Sequence, residues 1–375
     1  MGSAKILAMW RVLVLTLLAA PLLLAQESPG ELRDRASRLM AQGKYAAAEG
    51  PLTDALAAQE KALGSDDPHL VDTIDVLAAV YRAEGRNADA EKLQLRSLAI
   101  REKSSGAEST DLIANLKPLA AIYAADKNFV DAERALLRVI SIRQKAKGPD
   151  DLDLAADCVA MASFYMDRKR YAVAEPNLRR AVAIIEKSRG MQDQSLVPVL
   201  DSLAVALTEE KAYSAAEPPL HQIIAIQESI YGPADSNVAT YLDRLAALFY
   251  MEHRYADAEP LYRRSLAIWE AKLGSDAIEL ATSLDNLAVV LAAQEKFGDA
   301  VPLYQRSLGL REKATVLSMN NLALALDGKG DNAAAERLYK RALAMAGKNQ
   351  ELLDRTRQNY DELLKKMKKQ GATMK

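Results

Sequence analysis

The chain has 375 residues, half of them apolar and only 5% aromatic, and its 49 Lys and Arg nearly balance 51 Asp and Glu to leave a net charge of −2. That balance provides no electrostatic footprint for nucleic acid, and a composition led by Ala and Leu favours helix over sheet. The one thiol, Cys158, excludes an intramolecular disulfide, and its apolar setting in DLAADCVAMASFY fits a buried structural role.

The first element in chain order is MGSAKILAMWRVLVLTLLAAPLLLAQESPG, in which Lys5 and Arg11 precede an uncharged stretch from Val12 to Ala25. This is the layout of a secretory signal peptide with removal expected near Ala25. The stretch is too short to span a bilayer comfortably, which takes about 20 residues. The alternative is an uncleaved anchor that starts at Ile6 and tolerates Arg11. A secreted or periplasmic protein is therefore expected, meeting a membrane only if this segment is kept.

After it a 42-residue period takes over. An aromatic residue opens a recurring phrase at Tyr45, Phe129, Tyr171, Tyr213, Tyr255 and Phe297, with Asn87 in the remaining slot. Gly closes it at 64, 106, 148, 190, 232 and 274, and between them one position is always Ala, from Ala48 to Ala300. A side chain held that small marks two helices crossing closely.

Each unit resolves into two helices. In YADAEPLYRRSLAIWEAKLG, Tyr255, Ala258, Tyr262, Leu266 and Trp269 share one helical face, Pro260 is placed in the first turn, and Gly274 ends the helix. The next helix carries Leu280, Leu284, Leu287, Ala288 and Leu291 at helical steps. Neither can bury its stripe alone, so neighbouring hairpins must stack. One unit breaks step: the phrase after Phe297 restarts at Asn332, 35 residues later, because REKATVLSMNN lacks the Gly connector. Loss of that loop with survival of both helices is expected there, with a local change of curvature. Last comes ELLDRTRQNYDELLKKMKKQ, which reads as a solvating cap. The expected organisation is a signal segment at 1–25, an array of about seven to eight units over 26–348 with the unit at 297–331 shortened, and a capping helix at 349–375.

The first helices carry Leu-small-x-x-aromatic as Leu77, Ala78 and Tyr81, then as Leu119, Ala120 and Tyr123, and again as Leu245, Ala246 and Phe249. In this the chain resembles the tetratricopeptide repeat (TPR) family, and its 42-residue form is similar to the repeats of kinesin light chains. The resemblance implies an all-α fold, an α-solenoid of stacked antiparallel helical hairpins wound into a TPR superhelix, whose first helices line a concave groove.

In the family, as the resemblance implies, groove residues come from the places just before the Leu-small pair. Here these hold Asp75 and Val76, Lys117 and Pro118, Val159 and Ala160, Asp201 and Ser202, Asp243 and Arg244, Asp285 and Asn286, then Asn320 and Asn321. Paired Asn side chains can bond both the donor and the acceptor of an extended backbone. The remaining column is mostly aspartate and would favour a basic or amide-rich protein or peptide. Its alternative is that these carboxylates are solvated, or satisfied by nearby Lys and Arg. Asp201, Asp243, Asp285, Asn286, Asn320 and Asn321 form the expected ligand-facing strip, with Asp75, Lys117 and Arg244 as further candidates.

A second column, Glu49, Glu91, Glu133, Glu175, Glu217 and Glu259, repeats in every unit together with arginines such as Arg96, Arg138, Arg264 and Arg306, and so reads as scaffold. No catalytic residues, metal ligands or cofactor site are expected. His69, His221 and His253 lie in separate repeats, with His253 solvated in a turn, and no phosphate-cradling loop or Gly-flanked nucleophile appears. The expected function is a non-catalytic scaffold that docks a segment of another protein. The alternatives are self-assembly, or an accessory subunit of an envelope complex.

Overall fold

In a computed structural model the described residues are 27–347 and 349–373. The expected signal segment lies outside them. Among the described residues all regular structure is helical, with sixteen α-helices, two 3₁₀ turns and no strand. The chain divides into two compact units after Phe164.

The first unit runs α1 (Pro29–Ala41), α2 (Tyr45–Leu63), α3 (Val71–Ala83), α4 (Asn87–Ser105), α5 (Ile113–Ala125) and α6 (Phe129–Lys147), and the division falls inside α7 (Leu152–Met166). The second runs α8 (Tyr171–Arg189), α9 (Leu196–Glu209), α10 (Tyr213–Tyr231), α11 (Ser236–Met251), α12 (Tyr255–Leu273), α13 (Leu280–Ala293), α14 (Phe297–Lys329), α15 (Asn332–Met345) and α16 (Gln350–Thr373). From α1 to α6, and again from α8 to α16, each helix packs on the next. Each unit is thus a stack of antiparallel hairpins, an α-solenoid arrangement.

Two kinds of turn enforce this. The second helix of a regular hairpin ends at a glycine such as Gly274, whose N–H donates to Glu270 O (2.9 Å) at φ 85° and ψ 154°, a region closed to other residues. The turn inside the hairpin needs one left-handed residue. Gly43 and Gly85 fill that place, and in the same 42-residue register Lys127, Lys169, Lys211, His253 and Glu295 follow with φ between 57° and 60°. The alanine column is fully buried, at 0% exposure from Ala48 through Ala258 and 1% at Ala300. Helices approach there too closely for a larger side chain.

Charged staples tie neighbouring hairpins. Arg96 pairs with Glu60 (2.6 Å) and donates to Ser65 O (2.7 Å). Arg138, Arg264 and Arg306 repeat this on Glu102, Glu228 and Glu270. The glutamate column is bound in the same way: Arg86 reaches Glu49 (2.9 Å), Arg254 reaches Glu217 (2.8 Å) and Lys296 reaches Glu259 (2.7 Å). Burial pushes the Glu259 carboxyl up, but hydrogen bonds from Lys296 and Gln294 and the charge of Arg263 more than offset this and leave it below the usual value. Both columns are scaffold.

Two expectations are corrected. Pro260 lies in the second turn of α12, not the first, since the helix begins at Tyr255; the missing N–H removes an interior bond that neighbouring packing tolerates. The shortened unit does not keep two separate helices. Its halves fuse into α14, a single helix of 33 residues, because the deletion removed the glycine stop and left a sequence with nothing to end a helix. The second half of α14 still buries Val316 and Ala323 against α15 and α16, with Ala342, Tyr339, Leu352 and Leu363.

Candidate functional site

Most of the expected groove residues are engaged within the protein. Asp75 on α3 accepts from Arg101 Nη1 (2.6 Å) and from Asn115 Nδ2 (2.8 Å), and Asn115 donates in turn to Gln94 Oε1 (2.8 Å). Lys117 is ion-paired with Asp157 (2.5 Å), a carboxylate only 2% exposed that also receives Arg143. Arg244 holds Asp201 and lies over the Tyr241 ring at 5.5 Å. Burial pushes the Asp201 carboxyl up, and Arg244 draws it partly back. Arg311 pairs with Asp285 (2.7 Å).

The asparagines also separate. Asn320 is buried and accepts from Asn359 Nδ2 of α16 (3.0 Å), so it departs from the expected open strip because the last helix covers it. Asn286 is half-buried and Asn321 exposed. An aspartate stripe free to meet a basic ligand is therefore not what the register builds. Three of its four carboxylates, Asp75, Asp201 and Asp285, spend their charge on arginines of the same unit.

Asp243 is the exception. Among the described residues no cation pairs with it, and its buried Oδ1 has no close hydrogen-bond partner. Burial pushes its carboxyl above the usual range, and the polar groups of Ser265 and Trp269 offset part of that rise. Beside it the Tyr262 hydroxyl is pushed up to about 12, first by burial and then by the charges of Asp243 and Tyr250.

Apolar exposure is the feature that the polar columns do not reveal. Among the described residues, every exposed large apolar side chain on a first helix lies in the second unit: Val205 on α9, Tyr250 and Met251 on α11, Val289 on α13, and Leu322 and Leu324 on the second half of α14. Two places after each register Leu of a first helix, or after Met161 in its place, the first unit has Ala79, Ala121 and Ser163, whereas the second has Val205, Ala247, Val289 and Leu324. The step up in size was the available signal. Between α9 and α11 an opening of about 200 Å³ is lined by Ala204, Val205, Thr208, Leu220, Arg244, Ala247 and Met251, among others.

The histidines stay apart. His69 bonds Asp67 (2.7 Å), His221 lies 3.4 Å from Glu217, and His253, expected to be merely solvated, bonds the Tyr255 hydroxyl (2.7 Å). Cys158 is buried. Among the described residues no group of three His, Cys, Asp or Glu could hold a metal ion, and no helix is long and apolar enough to cross a membrane.

A model of the tetratricopeptide repeat matches residues 32–103 and 236–313, and a second model of that repeat matches 315–348. These stretches are tetratricopeptide repeats, a module that commonly mediates protein–protein interaction. The last match begins inside α14, where its second half takes over as the first helix of a hairpin. No curated protein matches the chain. Among solved structures, it is similar to nearly identical TPR-like repeats assigned to a kinesin light chain of Podosopora anserina, with 25% identity, 55% of this chain and 99% of that one covered, and a TM-score of 0.49. BtubC (BKLC) from P. vanneervenii is 18% identical over 60% of this chain and 90% of its own, with a TM-score of 0.45. A tetratricopeptide repeat protein from Parabacteroides merdae ATCC 43184 is 15% identical over 88% and 99%, with a TM-score of 0.43.

Proposed function

We propose that this protein is a non-catalytic interaction scaffold whose second unit holds a segment of a partner protein along its first helices. The observation that carries this reading is the confinement, among the described residues, of exposed large apolar side chains on first helices to that unit, from Val205 to Leu324. Water contact with such a row is unfavourable, and its cost is relieved when a partner covers it. The opening between α9 and α11 gives one side chain of that partner a place to enter.

The scaffold works outside the cytosol, secreted or periplasmic, after loss of residues 1–25; the support is the Lys5, Arg11 and Val12 to Ala25 layout of the sequence. Two measurements test the reading. Affinity capture from the native envelope with the Val205→Glu, Val289→Glu double variant is expected to lose the partner that the wild type retains, and unchanged capture would refute the groove. N-terminal sequencing of the exported protein is expected to begin near Gln26, and a retained Met1 would refute cleavage.

A further inference from the structure

Three hairpins share one arrangement in the 42-residue register: an Asp on the first helix, a Ser 22 residues later on the second, and a facing residue four beyond that. In the first unit these are Asp75, Ser97 and Arg101, and Arg101 Nη1 lies 2.6 Å from Asp75 Oδ2 and 3.2 Å from Ser97 Oγ. In the second unit Asp285, Ser307 and Arg311 repeat the pattern, with Arg311 2.7 Å from Asp285 and 2.9 Å from Ser307 Oγ. One of the hairpins between them in register, with Asp243, Ser265 and Trp269, has an indole where the guanidinium belongs.

The consequence is a carboxylate left without its counter-charge. Asp243 Oδ1 is buried without a close hydrogen-bond partner, and the only polar groups that act on its carboxyl are the neutral side chains of Ser265 and Trp269, which hold it down only in part. The nearest cation on the same helix, Arg244, is committed to Asp201. Asp243 and Trp269 are each partly exposed. A carboxylate beside an indole suits a guanidinium or ammonium, which can bond the one and pack on the other.

We propose that Asp243 and Trp269 form a subsite for one basic side chain, Arg or Lys, of a bound protein segment, standing in for the arginine that the Asp75 and Asp285 hairpins supply themselves. This rests on the groove reading above and specifies the partner's chemistry at one position. An unpaired half-buried charge is costly alone, and the incoming cation would complete the arrangement seen at Asp75 and Asp285.

The test uses the full chain and four pools of extended nonapeptides that share mixed flanking residues and differ at the centre: Arg, Lys, citrulline or norleucine. The Arg and Lys pools are expected to be retained about tenfold better than citrulline, the scale of one charge-assisted hydrogen-bonded contact. Asp243→Asn should abolish that preference. Trp269→Arg should abolish it too, since it installs the internal partner of Asp75 and Asp285 and provides a second variant with its own expected structure. Asp285→Asn, which removes the same charge from a carboxylate already paired, should leave it. Equal retention of Arg and citrulline pools, or a preference that survives Asp243→Asn, overturns the subsite. If Val205→Glu, Val289→Glu lowers all four pools while Asp243→Asn changes none, the groove stands and the subsite falls; if no pool is retained above that double variant, both fall.

Discussion

The two units put the same repeat to different use on their first helices. In the first, the register positions facing outward are Ala79, Ala121 and Ser163, and the polar groups nearby are closed into networks around Asp75 and Asp157. In the second, the same positions grow to Val205, Val289 and Leu324, and Asp243 stands without a cation. The same register thus closes its carboxylates internally at Asp75 and Asp285 and leaves Asp243 without a cation where Trp269 takes the place of the arginine.

The contrast can be broken most severely at Asp157. Asp157→Ala strands Arg143 and Lys117 around a buried site and should cost about 3 kcal/mol, read from the denaturant midpoint. Arg101→Leu leaves Asp75 and Asn115 short of a partner in the first unit and should cost about 2 kcal/mol in the same measurement. An effect under a few tenths at either site would mean that these networks do not close the first unit's surface.

Asp243 sharpens the comparison through pH. Its carboxyl holds its proton more tightly folded than unfolded, so its contribution to stability is fully present at low pH and lost as pH rises through the raised folded value. Tyr262 is a second ionisable group close to it, and it remains neutral over this range. Midpoints compared from about pH 4 to pH 7 should show Asp243→Asn lacking this decline, and at neutral pH at least as stable as the wild type. The opposite slope would indicate a hidden cation. The smallest effect is expected at the hairpin turns. Lys211→Gly relieves a left-handed residue at φ 59° while adding freedom to the unfolded chain, and the net gain should be about 0.5 kcal/mol in a thermal melt.

What could be read in advance was what depends on local spacing. The buried alanine column, the glycine stops and the hairpin periodicity follow from residues within one turn or one loop of each other. The fused helix did not, because an absent stop is silent: REKATVLSMNN forms helix well and nothing in it says where one ends. The aspartates were legible as a column but not as bonded groups, since Arg101 and Arg311 lie 26 residues from Asp75 and Asp285 along the chain. The register nevertheless held a clue, for the column that carries Arg101, Arg143 and Arg311 holds Ile185, Gln227 and Trp269 in between, and of these only Trp269 follows the Asp and Ser of the pattern. Asn320 was hidden for a different reason: its cover is α16, which belongs to no repeat.

The 33-residue α14 spans about 50 Å. Elsewhere in the second unit, fraying that starts at one hairpin can halt at the glycine hinge before the next. Across α14 there is no such firebreak, because beyond Pro302 one continuous ladder of backbone bonds is shared by two hairpins. Amides from α13 through α16 should then exchange with solvent as one block, making the end of this unit a single cooperative piece.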